Sequence, residues 1–496
     1  MTTSPTCTAE IPVQMPTRHH AKDDNDTKCT HKPPPTPRTT SSPTCTAEIP
    51  VQMPTRHHAK DDNDAKCTQK PPPPPSAGKS PVAKDTRLDR IDEEINSLSA
   101  EILGYLQHTM AEAQRSKVPP PVSPPAILAK EMRLAQLREE RETFSEEQRV
   151  SAAVTAFHED HPRQTEGCPI CSEPIHINEW SRFAYMPCCH QITCHGCLQL
   201  CAREEGKACP FCKREGSLSL ADDERLATTI TEADSGNKFA QLLLYQCTQG
   251  VPQFDEKRPK WLLDSAEQGY GRALFRLGMA HIDGEVKGIE TCPRRARDCL
   301  RRSAELGDVD GQYNYNYALI REGDVRASKQ MLTVAAASGS QEQGCILAQH
   351  ALGVHYMCAE QEKLGSKARA KYWFELAAEH GYRKSSLYAA LVLADSAGKR
   401  YELHGCPCYA GDDSMTRAVL LAREAVDACK EAGDEMSAKE SNILSDLETR
   451  TSSFCAFCYS TDKKLMACGR CKTSHYCSKE CQLSHRKIGH KLVCKK

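Results

Sequence analysis

Cysteines dominate the residues that could do chemistry, and they fall in two tight groups. The first contains CPIC, MPCCHQITCHGC and CPFC, offering Cys168, Cys171, Cys188, His190, Cys194, Cys197, Cys209 and Cys212 as donors. The second contains CAFC and CGRC, then Cys477 and Cys481, then His490 and Cys494, beside Cys455, Cys458, Cys468 and Cys471. Two residues between cysteines let both thiolates turn toward one ion, and Zn²⁺ accepts S₄ or S₃N donor sets in tetrahedral array. Three residues between donors suit one helical turn, which brings i and i+4 to the same face. Each group supplies donors for two tetrahedral sites, so about four zinc ions are expected in all. In the first group Cys189 lies between two proposed donors, and a set using it is an alternative. His195 and Cys201 are expected to be spare.

The chain is 496 residues long with 28 cysteines. That length suggests several domains. Lys+Arg total 65 against 66 Asp+Glu, which gives no global pull toward nucleic acid or anionic membrane. The start, MTTSPTC, has no basic segment followed by an apolar run, and no stretch is long and apolar enough to span a bilayer. The expected setting is intracellular, cytoplasmic or nuclear, where clustered cysteines hold metal rather than disulfides. No hydrolase triad, phosphate-binding glycine loop or carboxylate pair stands out. A conventional metabolic enzyme is not expected.

The elements that must position these donors are mainly helical. Residues 1–84 carry SPTCTAEIPVQMPTRHHAKDDND twice, from Ser4 and from Ser42, each copy followed by a proline run. Such a composition buries too little apolar surface to fold, so a disordered arm is expected. Over 85–117, Leu88, Ile91, Ile95, Leu98, Ile102 and Tyr105 fall on one helical seam that needs a partner, either a second copy in a short coiled coil or the next helix. Prolines in VPPPVSPP end that helix. A second helix over 126–157 is highly charged, and its charges are expected to form a solvated face.

Between 236 and 435 a phrase recurs: SAEQGY, SAELGD, AAASGS and AAEHGY, with Gly269, Gly307, Gly339 and Gly381 at spacings in the paired-helix range. Each glycine suits a left-handed helix C-terminus. Ala273 and Gly278 allow close helix approach, and Leu274, Leu277, Tyr372 and Trp373 are expected to fill the core. HGCPCYAGDD at 404–413 reads as an inserted loop, because one residue between Cys406 and Cys408 is poor geometry for a structural zinc pair.

Three resemblances follow from these motifs. Residues 165–214 resemble a RING finger, the zinc module of many ubiquitin ligases. That resemblance implies that Cys168, Cys171, Cys194 and Cys197 share one ion while Cys188, His190, Cys209 and Cys212 share the other. It also implies that Ile170 and Pro210 grip a ubiquitin-conjugating enzyme and that Lys213 contacts ubiquitin. The sequence departs from that pattern in having three residues between His190 and Cys194. The repeated phrases, with WLLDSAEQG and the earlier KFAQLLLYQCTQGVPQ, resemble Sel1-like repeats, which implies a helical-hairpin solenoid that holds other proteins.

Residues 455–494, with HYCSKECQ and HKLVC, resemble a MYND finger. That implies Cys455, Cys458, Cys477 and Cys481 at one ion, Cys468, Cys471, His490 and Cys494 at the other, and binding of short proline-containing peptides. His485 stands where that family commonly has tryptophan, so it is not expected to be a ligand. From Phe454 onward there are ten Lys+Arg against two Asp+Glu, read as solvated charge on a protein-binding module. The expected function is a zinc-dependent adaptor with ubiquitin-ligase potential, in which the repeats and the last finger hold substrate. The alternatives are a scaffold that binds proteins through all three modules without promoting transfer and, further off, a transcription-associated protein.

Overall fold

The computed structural model describes residues 86–116, 125–179, 182–204, 208–214, 223–338, 343–358, 365–404, 413–458, 460–461 and 464–494. The duplicated arm, the proline break at 118–124, Gly339, Cys406 and Cys408 lie outside the described residues. Two long helices come first, α1 (Thr86–Ser116) and α2 (Pro125–Asp160). The seam of α1 finds its partner in α2: Ile91 and Ile102 are buried, and antiparallel ion pairs flank them, Arg133 to Glu94 at 2.9 Å and Arg141 to Asp92 at 2.6 Å.

The array consists of α4 (Asp223–Asp234), α5 (Lys238–Cys247), α6 (Arg258–Glu267), α7 (Gly271–Asp283), α8 (Pro293–Glu305), α9 (Val309–Arg321), α10 (Val325–Ala336), α11 (Gln343–Cys358), α12 (Gly365–Glu379), α13 (Ser385–His404), α14 (Ser414–Ala432) and α15 (Ala438–Ser452), numbered after the finger helix α3 given below. Each packs on the next, so every hairpin covers the apolar stripe of its neighbour and a solenoid results. The phrase glycines do what their chemistry suggests: Gly269, Gly307 and Gly381 adopt φ of 73°, 91° and 108°, left-handed values that stop one helix before the next begins. Ala273, Leu274, Leu277 and Trp373 are buried as expected, whereas Tyr372 is only half-buried. The helical pairs begin before 236 and continue past 435.

Close approach fixes some positions absolutely. A Cβ on Gly353 of α11 would lie 2.6 Å from the ring of Phe374 on α12, and that ring is held by His350 and Tyr388. Gly353→Ala is therefore expected to cost about 1–3 kcal/mol through overpacking. A lowered urea midpoint for loss of helical signal checks it.

The charges of α2 do not all form a solvated face: Arg138, Glu140 and Glu147 are exposed, but one acidic face is covered. It lies against α10 and α12. Glu139, Glu142 and Glu146 share one face, with Glu139 2.5 Å from Lys371 and Glu142 3.0 Å from Arg369. Glu146 is fully buried, accepting from Trp373 Nε1 at 2.9 Å and from the Tyr356 hydroxyl at 3.0 Å. Charge alternation cannot tell a solvated face from one that meets basic residues more than two hundred positions away.

The first finger is built from two short hairpins, β1 (Thr165–Gly167) with β2 (Pro174–His176) and β3 (Phe183–Met186) with β4 (Gln191–Cys194), followed by α3 (His195–Glu204). It shares a hydrophobic core with the start of the array, where Phe183 and Tyr185 lie 5.8 and 6.0 Å from the Phe239 ring. Asn178 accepts from the Gly271 amide at 2.9 Å and donates to the Leu306 carbonyl at 2.8 Å. A side chain at 271 would strike Asn178, since its Cβ would lie 2.8 Å from Oδ1. Glycine there is part of the docking.

Candidate metal centres

Among the described residues five groups of donors converge, each with its ligand atoms within 4.8 Å of one another: four cysteine-rich groups and the trio Asp413, His485 and His490, which shares His490 with one of them. In the first finger the cysteine-rich groups are Cys168, Cys171, Cys194 and Cys197, and Cys188, Cys189, Cys209 and Cys212. In the second they are Cys455, Cys458, Cys477 and Cys481, and Cys468, Cys471, His490 and Cys494. Two sulfurs each about 2.3 Å from a shared tetrahedral ion must lie about 3.8 Å apart. The observed Sγ separations match: 3.8 Å for Cys171 and Cys194, 3.7 Å for Cys189 and Cys209, and 3.8 Å for Cys468 and Cys494. Cys458 and Cys477 are closer, at 3.4 Å. His490 presents Nε2 to Cys471 Sγ at 3.7 Å, so a mixed S₃N set is in place. The donors suit zinc, which lacks a ligand-field preference and takes such sets readily.

Local backbone geometry builds each knuckle. In CPIC, CPFC and CGRC the residue after the second cysteine returns its amide to the first: Ser172 to Cys168 at 2.8 Å, Lys213 to Cys209 at 3.0 Å and Lys472 to Cys468 at 2.9 Å. Each of these residues takes a left-handed φ, of 62°, 60° and 54°. That fold turns amide hydrogens onto sulfur. Burial pushes the Cys168 thiol up, but amide donors from Cys171, Cys194 and Ile170 outweigh it and hold the thiol below its ordinary range. Cys471 is lowered likewise against the push of burial, chiefly by His490 and the amides of Ser474 and Thr473. Thiolate is the form that binds metal.

The same geometry corrects one expected ligand. His190 has φ of 60° and sends its amide to the Met186 carbonyl at 2.7 Å. It thus occupies the position of Ser172, Lys213 and Lys472, the residue after a knuckle, and Cys189 is the knuckle's last donor. The His190 ring turns away to the Tyr185 hydroxyl, 2.9 Å from Nδ1. Cys189, not His190, stands with Cys188, Cys209 and Cys212. His195 and Cys201 fall outside the four groups. Among the expected enzyme contacts, Ile170 is 43% exposed, Lys213 is exposed and Pro210 is half-buried.

In the second finger β5 (Met466–Ala467) pairs with β6 (His475–Tyr476), and α16 (Lys479–His485) carries Cys481. Ser478 caps α16 by accepting from the Cys481 amide at 3.2 Å, which fixes that donor's approach. A bent turn over Arg486–His490 and the short α17 (Lys491–Val493) bring His490 and Cys494 back. The finger is docked on the array: Thr416 and Ser474 hydroxyls meet at 2.8 Å, and Arg423 donates to Thr473 at 2.9 Å. His485 belongs to none of the four cysteine-rich groups but to the trio with Asp413 and His490. It is fully buried, with Nδ1 3.0 Å from the Tyr476 hydroxyl and Nε2 3.2 Å from Asp413. Nothing in the spacing of its segment marks Asp413 along the sequence. Among the described residues no helix is long and apolar enough to cross a membrane.

Comparison with known proteins agrees with two of the modules. The MYND finger family matches residues 455–494, and the Sel1 repeat family matches 271–308 and 346–382. Both are protein-interaction modules, and the donor groups of both fingers are consistent with zinc. No curated protein matches. Among solved structures, c5321, a protective antigen of uropathogenic Escherichia coli strains displaying an SLR fold, is 20% identical, with 47% of this chain and 49% of that chain covered and a TM-score of 0.33. The aligned part thus spans about half of that antigen. A Sel1 repeat protein from Oxalobacter formigenes is 22% identical, with 46% of this chain and 94% of that chain covered and a TM-score of 0.34.

Proposed function

We propose that the chain is a zinc-dependent adaptor in which the first finger recruits a ubiquitin-conjugating enzyme while the array and the second finger hold the protein to be modified. In this reading zinc occupies the four cysteine-rich groups above. The observation that carries it is the division of the first finger into two sides. One side, with Phe183, Tyr185 and Asn178, is committed to the array, while Ile170 and Lys213 on the knuckles stay exposed. A rigidly seated finger with a free apolar knuckle residue is suited to hold an enzyme in fixed orientation to bound substrate. Such a ligase needs no nucleophile of its own, since positioning supplies the rate.

The adjacent Cys188 and Cys189 favour a second reading, a non-catalytic scaffold, because they replace the ligand pattern on which the ligase resemblance rests. Incubation with activating enzyme, a panel of conjugating enzymes, ubiquitin and ATP separates the two. Ubiquitin chains are expected from wild type and are expected to fall at least tenfold in Ile170→Ala, a change of about 1.4 kcal/mol in transition-state terms. Absence of chains across the panel would leave the scaffold. Activity surviving in Cys168→Ser would refute the site assignment.

A further inference from the structure

The second finger's mixed-donor site does not end with its own four residues. Asp413, the residue before α14, belongs to the repeat array and is buried at the finger's edge. Its Oδ1 lies 3.0 Å from Nδ1 of His490, the nitrogen opposite the one facing Cys471. The same oxygen lies 3.2 Å from Nε2 of His485, whose Nδ1 meets the Tyr476 hydroxyl. These contacts set the tautomers. Tyr476 donates to His485, His485 donates through Nε2 to Asp413, and His490 donates through Nδ1 to Asp413, leaving its Nε2 lone pair for metal. The two imidazole rings stack at 4.9 Å with 22° between their planes, so neither can rotate without displacing the other.

We infer that Asp413 is a positioning residue for the zinc held by Cys468, Cys471, His490 and Cys494, and that the repeat array thereby completes a metal site of the finger. A carboxylate behind a metal-bound histidine fixes its tautomer and ring orientation and raises its basicity, and losing such a partner typically costs 10–100-fold in metal affinity. His485 acquires a role here as well. Where a tryptophan would offer one donor and no acceptor, histidine can both donate to Asp413 and accept from Tyr476, closing the hydrogen-bonded chain. The finger then reads the state of the array, since parting them removes the carboxylate from the site.

The inference rests on His490 being a zinc ligand, and cadmium-113 NMR of the full-length chain tests both layers separately. The fully loaded wild type is expected to show an S₃N resonance apart from the S₄ resonances; without one, the ligand reading of His490 itself fails. Given that resonance, Asp413→Ala is expected to lose it at 10–100-fold lower chelator concentration than wild type, with the Cys455 site unchanged and reporting a folded finger. Asp413→Asn keeps an acceptor oxygen but no charge, and is expected to retain the ion better than alanine while shifting its resonance. Arg423→Ala breaks the docking contact to Thr473 without touching the carboxylate or either His490 nitrogen and is expected to behave as wild type. Release from Asp413→Ala at the wild-type concentration would overturn the inference. Equal early release from Arg423→Ala would also overturn it, by placing the effect in docking alone.

Discussion

Glu146→Ala is expected to loosen α2 from the array and to destabilise its docked state by about 3 kcal/mol, the lower end of the range for breaking a buried charged contact. The carboxylate is fully buried and works as a hub. Trp373 Nε1 donates to it at 2.9 Å, the Tyr356 hydroxyl at 3.0 Å and Arg149 Nε at 3.0 Å, with Arg369 at 3.6 Å. Alanine leaves an indole and a phenol donor without their acceptor, and each buried unsatisfied group costs about 1–3 kcal/mol. The lower figure is apt because Arg149 is 40% exposed and can turn to water. Glu139→Ala should cost less than about 1 kcal/mol, because its pair with Lys371 is partly solvated. Hydrogen exchange over 125–160 measures both. Protection unchanged in Glu146→Ala would refute the hub.

The same hub sets a direction with pH. Burial pushes the Glu146 carboxyl up, but hydrogen bonds from Arg149 and Trp373 with the Arg149 charge outweigh it, so its folded-state pKa lies below the ordinary value. A depressed carboxylate stabilises the fold above its unfolded pKa, and that contribution is lost as pH falls through the folded one. Docking of α2 should therefore be complete at neutral pH and weaken below about pH 4.

Glu146 also marks where sequence reasoning stops. The period of Ile91 and Ile102, the glycines at 269, 307 and 381, and the Cys-x-x-Cys pairs are local signals, each set by one helix face or one turn, and all can be read along the chain. Contacts between distant modules carry no such period. The acidic face of α2 has the pattern of a solvated surface, Asn178 is an unremarkable loop residue until it meets Gly271, and Asp413 sits in a polar segment that gives no hint of His490. The choice between His190 and Cys189, open in the sequence, turns on something subtler. Donor spacing counts residues but not backbone handedness, and the left-handed turn at 190 sends that ring to Tyr185 while advancing Cys189 into the donor group.

Removing zinc should divide the molecule unequally. The buried cluster of the second finger consists of Cys455, Ala456, Cys468, Cys471, Tyr476 and Cys494, so most of its core is made of donors. Structural zinc contributes roughly 10–16 kcal/mol in small modules of this kind, and little else is present over 455–494 to replace it. A strong chelator at neutral pH is therefore expected to abolish amide protection throughout that segment. The first finger differs because Ile175, Ile177, Phe183, Tyr185 and Ile192 belong to the same core as Phe239 and Trp261 of the array. Its β3–β4 hairpin should keep partial protection after metal loss, while the CPIC and CPFC knuckles open. Helical signal from α4 to α15 should persist, since of the sixteen donors only Cys168, Cys194 and Cys197 pack into a core shared with the array, at its first helices. A chelating dye should count about four ions released, from four tetrahedral sets. Protection of 455–494 that survives complete chelation would show that docking through Thr416 and Arg423, rather than metal, holds the finger folded.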